Sequence, residues 1–145
     1  MTNNGTNTRK IHPLERYTEG ASAKMASRFP EVIQEVADAV AAEPVVVVGM
    51  AQNPHVRKVR AALTEAGVAF KYLEYGSYFS EWSKRLAIKM WSGWPTFPQV
   101  YVKGVLVGGE DLTKAAIADG SLKKLLGDVG DPAEAAVATG TPAEA

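Results

Sequence analysis

Residues 45–48 are four consecutive valines set directly after Pro44, and no other stretch restricts the fold so tightly. Valine branches at Cβ, which stiffens χ1 and suits the pleated surface of a strand. A strand with one wet face alternates apolar and polar residues, whereas an unbroken apolar run belongs to a strand covered on both faces. The chain must therefore build a layered α/β domain, with helices on either side of a sheet. The run is far too short to cross a bilayer, which takes about 20 apolar residues.

The flanking sequence supplies those layers. Pro30 is a good first helical residue, and Val32, Ile33, Val36, Ala39 and Val40 then recur at helical spacing to about residue 42. After the valines, Asn53-Pro54 offers a helix cap followed by proline at the first helical position. Val56, Val59, Ala62, Leu63 and Ala66 carry that helix to Gly67, which fits the position just past its end. A second strand is expected over 69–75, and 76–80 leads into a helix over 81–90 with Trp82, Leu86 and Met90 on one face. Gln99–Val102 and Val105–Gly108 flank Lys103-Gly104, the length of a two-residue hairpin turn. A last helix spans roughly 112–126, interrupted near Gly120. The order from Pro44 is strand, helix, strand, helix, hairpin, helix. A parallel βαβ unit joined to an antiparallel ββα unit follows, which makes a four-stranded mixed sheet flanked by helices.

The ends read differently. Residues 1–29 are polar and weakly patterned and are expected to form a flexible N-terminal arm, one option for which is to fill a groove of the domain itself. Residues 30–127 form the domain. Residues 128–145 are rich in Ala, Pro, Gly and acid without periodicity, as expected of a disordered tail.

Sixteen basic and sixteen acidic residues give a formal net charge of zero, which argues against a general nucleic-acid binder. The charge is unevenly placed. From Pro44 to Gly109 eight cations face three acids, a local excess of +5 that suits a small anionic ligand or acidic partner, or is a solvated surface. The chain has no cysteine, so disulfides, thiolate metal sites and thiol catalysis are excluded within it. The first residues carry no apolar signal segment, so a cytoplasmic location without membrane association is expected.

Two loops carry candidate chemistry. In Trp94-Pro95-Thr96-Phe97-Pro98 two prolines share one tight connection. If the Phe97–Pro98 bond is cis, the N–H and C=O of Phe97 are left facing outward, where an extended peptide can pair with them. The same prolines would serve equally as an ordinary rigid turn. In Gly108-Gly109-Glu110-Asp111 a strand gives way to a helix, whose first N–H groups form an anion site that glycines leave open. Capping by Asp111 is the plainer alternative.

Joined at this spacing, the two loops resemble the signature of the glutaredoxin family, and the likeness covers residues 44–126. The helix over 30–42 running into Pro44 and the valines is similar to its monothiol branch, and Arg85 and 89–98 continue the likeness. The resemblance implies a thioredoxin-like fold with an extra N-terminal helix. It also implies that glutathione lies across this face as an extended tripeptide. Phe97 and Pro98 would then pair with its cysteinyl backbone, and Thr96 and Asn53 would belong to the same site. Gly109 and the N–H groups of Glu110 and Asp111 would hold its γ-glutamyl carboxylate, and Arg85 would sit near its glycyl carboxylate.

The sequence departs from the family at Asn53-Pro54-His55-Val56. By alignment Asn53 stands where the nucleophilic cysteine belongs, Val56 where dithiol members place a second, and Met50 near the position of a customary basic residue. Asparagine forms no mixed disulfide and is a poor ligand for iron, so no catalytic residue and no iron–sulfur cluster is expected. A single imidazole makes no metal site, and His55 reads as a helix-start residue. The favoured reading is a redox-inactive protein that binds glutathione or a peptide in a regulatory or adaptor role. A second is a glutathione-transferase-like enzyme in which Asn53 hydrogen-bonds the ligand's thiolate, with Tyr72, Tyr75, Tyr78 or Trp91 lining a substrate pocket. A third is a protein-docking scaffold without a small ligand.

Overall fold

The structure, a computed structural model, describes residues 8–128. The expected tail over 128–145 therefore lies almost wholly outside the described residues, as do the first seven residues of the arm.

Four strands form one mixed sheet. β1 is Val45–Gly49, β2 Lys71–Glu74, β3 Gln99–Val102 and β4 Val105–Gly108, in the order β2-β1-β3-β4. β1 runs parallel to β2 and antiparallel to β3, and β3 runs antiparallel to β4. The helices are α1 (Glu19–Ala26), α2 (Pro30–Ala42), α3 (Pro54–Glu65), α4 (Trp82–Ser92), α5 (Glu110–Ala118) and α6 (Ser121–Asp128). A β2-β1-β3-β4 mixed sheet with flanking helices is the thioredoxin-like arrangement that the resemblance implies. No helix among the described residues is long and apolar enough to cross a membrane.

The four valines behave as their run requires. Each is 0 or 1% exposed, and they divide by parity between two cores. Val46 and Val48 pack with Val32, Val36 and Ala39 of α2 and Ile88 of α4. Val45 and Val47 pack with Val59 and Leu63 of α3 and Leu122 of α6. Burying each valine contributes roughly 1.5–3 kcal/mol, so β1 is the keel of the domain.

Turn chemistry fixes where the elements stop. Lys103 and Gly104 both take positive φ (52° and 80°), the arrangement that lets a two-residue turn follow the twist of the hairpin. Gly120 at φ 85° breaks the expected last helix into α5 and α6.

Two features go beyond the sequence expectation. Within the expected arm, Leu14–Arg16 makes one 3-10 turn and α1 follows, capped by the Thr18 hydroxyl accepting from the Ala21 N–H at 3.1 Å. No residue of α1 is buried. On α4 the apolar residues do share a face, but it is the outer one: Trp82 is 65% exposed and Met90 52%. The inward face is built from Ala87, Ile88 and, unexpectedly, Arg85.

Candidate functional site

A groove of about 370 Å³ opens between the 94–98 loop and the starts of α3 and α5. Thr96, Phe97, Pro98, Gly109, Glu110 and Asp111 all line it, joined by His55, Trp94 and Leu112. Two loops 10 residues apart in sequence thus meet, because antiparallel pairing of β3 with β4 brings the end of the hairpin back beside its beginning.

The loop wall is held by one buried side chain. Gln99 is fully buried, its Nε2 donates to the Trp94 carbonyl at 3.1 Å, and its Oε1 accepts from the Tyr101 hydroxyl at 2.8 Å. Burial pushes Tyr101 up to about 12, so its hydroxyl stays protonated and keeps donating. The Phe97–Pro98 bond is cis. Among the described residues the backbone N–H and C=O of Phe97 enter no hydrogen bond. The indole N–H of Trp94, also buried, has no partner among them either.

The opposite wall is the start of α5. Gly109 is its N-cap, and no side chain caps it, so Asp111 does not play the capping part the sequence allowed. The first N–H groups of the helix are left to the groove. At Gly108, φ is 130° and an added Cβ would lie 2.8 Å from Leu112, so only glycine fits. Glu110 crosses the groove floor. Its Oε1 meets His55 Nδ1 at 2.7 Å and its Oε2 meets Lys114 Nζ at 3.2 Å. These contacts hold its carboxyl below the ordinary range, the His55 hydrogen bond being the largest cause and Lys114 and Lys58 adding to it.

Asn53 is buried and does not line the groove. Its Oδ1 accepts from the N–H groups of His55 (2.8 Å) and Val56 (3.1 Å), which makes it the N-cap of α3. An amide carbonyl engaged twice has no place for iron, and without a thiolate the residues here do not fit an iron–sulfur cluster.

Arg85 is not at the groove. Its Nη1 donates to the carbonyls of Tyr75 (2.9 Å) and Ser80 (2.7 Å), closing the loop between β2 and α4. The structure thus gives Arg85 a part in holding this loop, and the residue to which the resemblance assigned a ligand contact is not among those lining the groove. The loop needs a buried donor, and a glycine at position 76, where any Cβ would lie 2.9 Å from that nitrogen, makes room for it. The cation that does approach the loop is Lys89, whose Nζ lies 5.7 Å from the Phe97 ring centre.

The four aromatics suggested for a substrate pocket do not reach the groove either. Tyr72 lies under the Arg60 guanidinium at 3.8 Å, and Tyr75 donates its hydroxyl to Glu35. Tyr78 is exposed. Trp91 lines a separate trough of about 520 Å³ with Met25, Ile33 and Met90. The described arm residues do not fill the groove.

Sequence reasoning missed three residues here: His55, Trp94 as a donor, and Gln99. Gln99 had a signal, being the one polar residue in an otherwise apolar strand. His55 had none, since nothing local to 53–56 announces a partner 55 residues away.

Fold and groove together define a class: a thioredoxin-like protein whose groove lies between a proline loop and a helix N-terminus. Residues 45–107 match the glutaredoxin family model. The chain is 53% identical over 109 residues to a glutaredoxin-like protein of Dictyostelium discoideum, covering 75% of this chain and 89% of that one. It is 42% identical over 71 residues to a probable monothiol glutaredoxin 2 of Rickettsia prowazekii (strain Madrid E), covering 49% of this chain and 64% of that one. A wheat glutaredoxin crystal structure is similar at a TM-score of 0.59 and 30% identity, covering 70% of this chain and 95% of that one. The chain belongs to the glutaredoxin family, and it is a member without cysteine.

Proposed function

We propose that this protein binds glutathione, or a peptide segment of similar backbone, in the groove, and acts as a regulator or adaptor rather than as a thiol oxidoreductase. The observation that carries the reading is the unpaired backbone of Phe97 facing the uncapped start of α5 across one groove. An extended ligand gains main-chain hydrogen bonds at the first wall and a carboxylate site at the second. Glu110 and Asp111 add negative charge beside those N–H groups. The fit is therefore best for a ligand end with both an α-carboxylate and an α-ammonium, which the γ-glutamyl end of glutathione has and an ordinary peptide interior lacks. Lys89 is the cation available to the opposite, glycyl end. A cytoplasmic setting, where glutathione is abundant, is part of the proposal.

Titrating glutathione into isotopically labelled protein tests it. Amide shifts at Phe97, Glu110 and Asp111 at millimolar ligand are expected, and their absence would end the ligand-binding reading. Protein docking is a second reading, favoured by the outward stripe of Phe79, Trp82 and Met90, which are 93, 65 and 52% exposed.

A further inference from the structure

We infer that His55 and Glu110 form a base and its positioning partner, which take the proton from the thiol of a ligand held in the groove. The ligand's sulfur, and no atom of the protein, would then be the nucleophile. The inference rests on the glutathione-binding reading above and adds a reaction to it.

The geometry is that of an oriented imidazole. Ionised Glu110 can only accept hydrogen bonds, so at 2.7 Å the shared proton sits on His55 Nδ1, and in the neutral imidazole the lone pair is then on Nε2. The His55 side chain is 62% exposed and lines the groove, whereas the Glu110 side chain is 11% exposed and is held from its other oxygen by Lys114. One partner is thus anchored and the other presented, the division of labour found where a carboxylate orients a general base. The step balances simply. The S–H bond breaks, its proton passes to Nε2, and a thiolate faces an imidazolium whose charge Glu110 offsets. The start of α3 favours the thiolate through the helix dipole. The other charged groups facing the pair are Lys58 on α3 and Asp111 and Lys114 on α5. Asn53, whose carbonyl is committed to the α3 cap, is not needed for the step.

Because the chain has no cysteine, a bound ligand's thiol is the only thiol in the complex. Glutathione labelled with 13C at its cysteinyl Cβ, mixed with excess protein and followed by NMR across pH, reports that thiol directly. The same samples report binding through the amides of Phe97 and Asp111. Bound glutathione is expected to titrate below about 7.5, against about 8.5 for a free thiol. His55→Gln, which keeps a donor for Glu110 but removes the base, returns the midpoint to the free value, read with enough variant protein to hold the glutathione bound as the amide shifts report. Glu110→Gln gives a midpoint between the two. A pair that only clamps α3 to α5 would change melting temperature and leave the midpoint alone. Binding with an unshifted midpoint, or a shifted midpoint that survives His55→Gln, overturns the inference and leaves the binding reading intact. No amide shifts at all would overturn both.

Discussion

The groove and the loop that begins α3 sit side by side in this fold and differ in what they retain. The groove is made by backbone: the unpaired N–H and C=O of Phe97, the turn at Gly108, the first amides of α5. It keeps its shape as long as prolines, glycines and Gln99 hold the chain in place. At the α3 loop, family chemistry depends on a single side-chain atom, and there Asn53 caps the helix instead. The proposed recognition surface is thus spread over the main chain, whereas the family's thiol chemistry would rest on one sulfur that this chain does not have, and the Asn53 cap serves the local need of the helix.

Restoring that atom is the strongest way to test the contrast. Asn53→Cys is expected to create glutathione-dependent disulfide exchange where the chain as it stands has no thiol to perform it. The cost is the α3 cap, about 1 kcal/mol. A variant that binds glutathione but exchanges nothing would break the comparison, since the loop geometry and not just the atom would then have changed.

The next largest effect is on stability. Arg85→Met removes two charge-assisted hydrogen bonds from the loop between β2 and α4. Each contributes roughly 1.5–3 kcal/mol, so a loss of about 3–6 kcal/mol in urea unfolding is expected, with unchanged glutathione shifts at Asp111. Weakened binding at undiminished stability would instead return Arg85 to the ligand. Gln99→Leu probes the groove wall itself. It leaves the Trp94 carbonyl and the Tyr101 hydroxyl without their partner, and an unsatisfied buried polar group costs about 1–3 kcal/mol. A loss of about 2 kcal/mol together with weaker binding is expected. The paired outcomes separate a residue that supports the fold alone from one that supports the fold and the groove.

These contrasts also mark how far the sequence could be read. Elements with local causes were visible in it. Pro30, the valine run, the Asn53-Pro54 start, Gly67 and the Lys103-Gly104 turn marked α2, β1, α3 and the hairpin to within a residue or so of their observed limits. The two groove walls were visible because glycine and proline mark the backbone directly. What stayed hidden depended on partners distant in the chain. Arg85 carried only the ligand contact implied by the resemblance, because nothing in its helix shows that the carbonyls of Tyr75 and Ser80 need a donor. The outward face of α4 was hidden for the same reason, since an apolar stripe defines a face but not the direction it points. His55 required knowing that the starts of α3 and α5 converge.

The smallest expected effect is the pH dependence of that convergence. Glu110 has a carboxyl held below its ordinary value of 4.5, first by the His55 hydrogen bond and then by Lys114 and Lys58. A carboxyl lowered in the folded state adds stability that is present above the unfolded value and lost as pH falls through the folded one. The Glu110 contribution is therefore complete above about pH 4.5 and fades below it, where the carboxyl takes up a proton and releases His55 and Lys114. Urea midpoints of the parent and of Glu110→Gln, measured from pH 7 down to pH 3, should approach one another only in that acid limb. The gap is expected to be small, because the His55 and Lys114 ends of these pairs are exposed and pairs open to solvent contribute about 0–1 kcal/mol. A gap that persisted unchanged to pH 3 would mean that Glu110 acts through packing, and the link between α3 and α5 would not be electrostatic. A gap that closes in acid ties the cysteine-less start of α3 to the uncapped start of α5 through one ionised side chain.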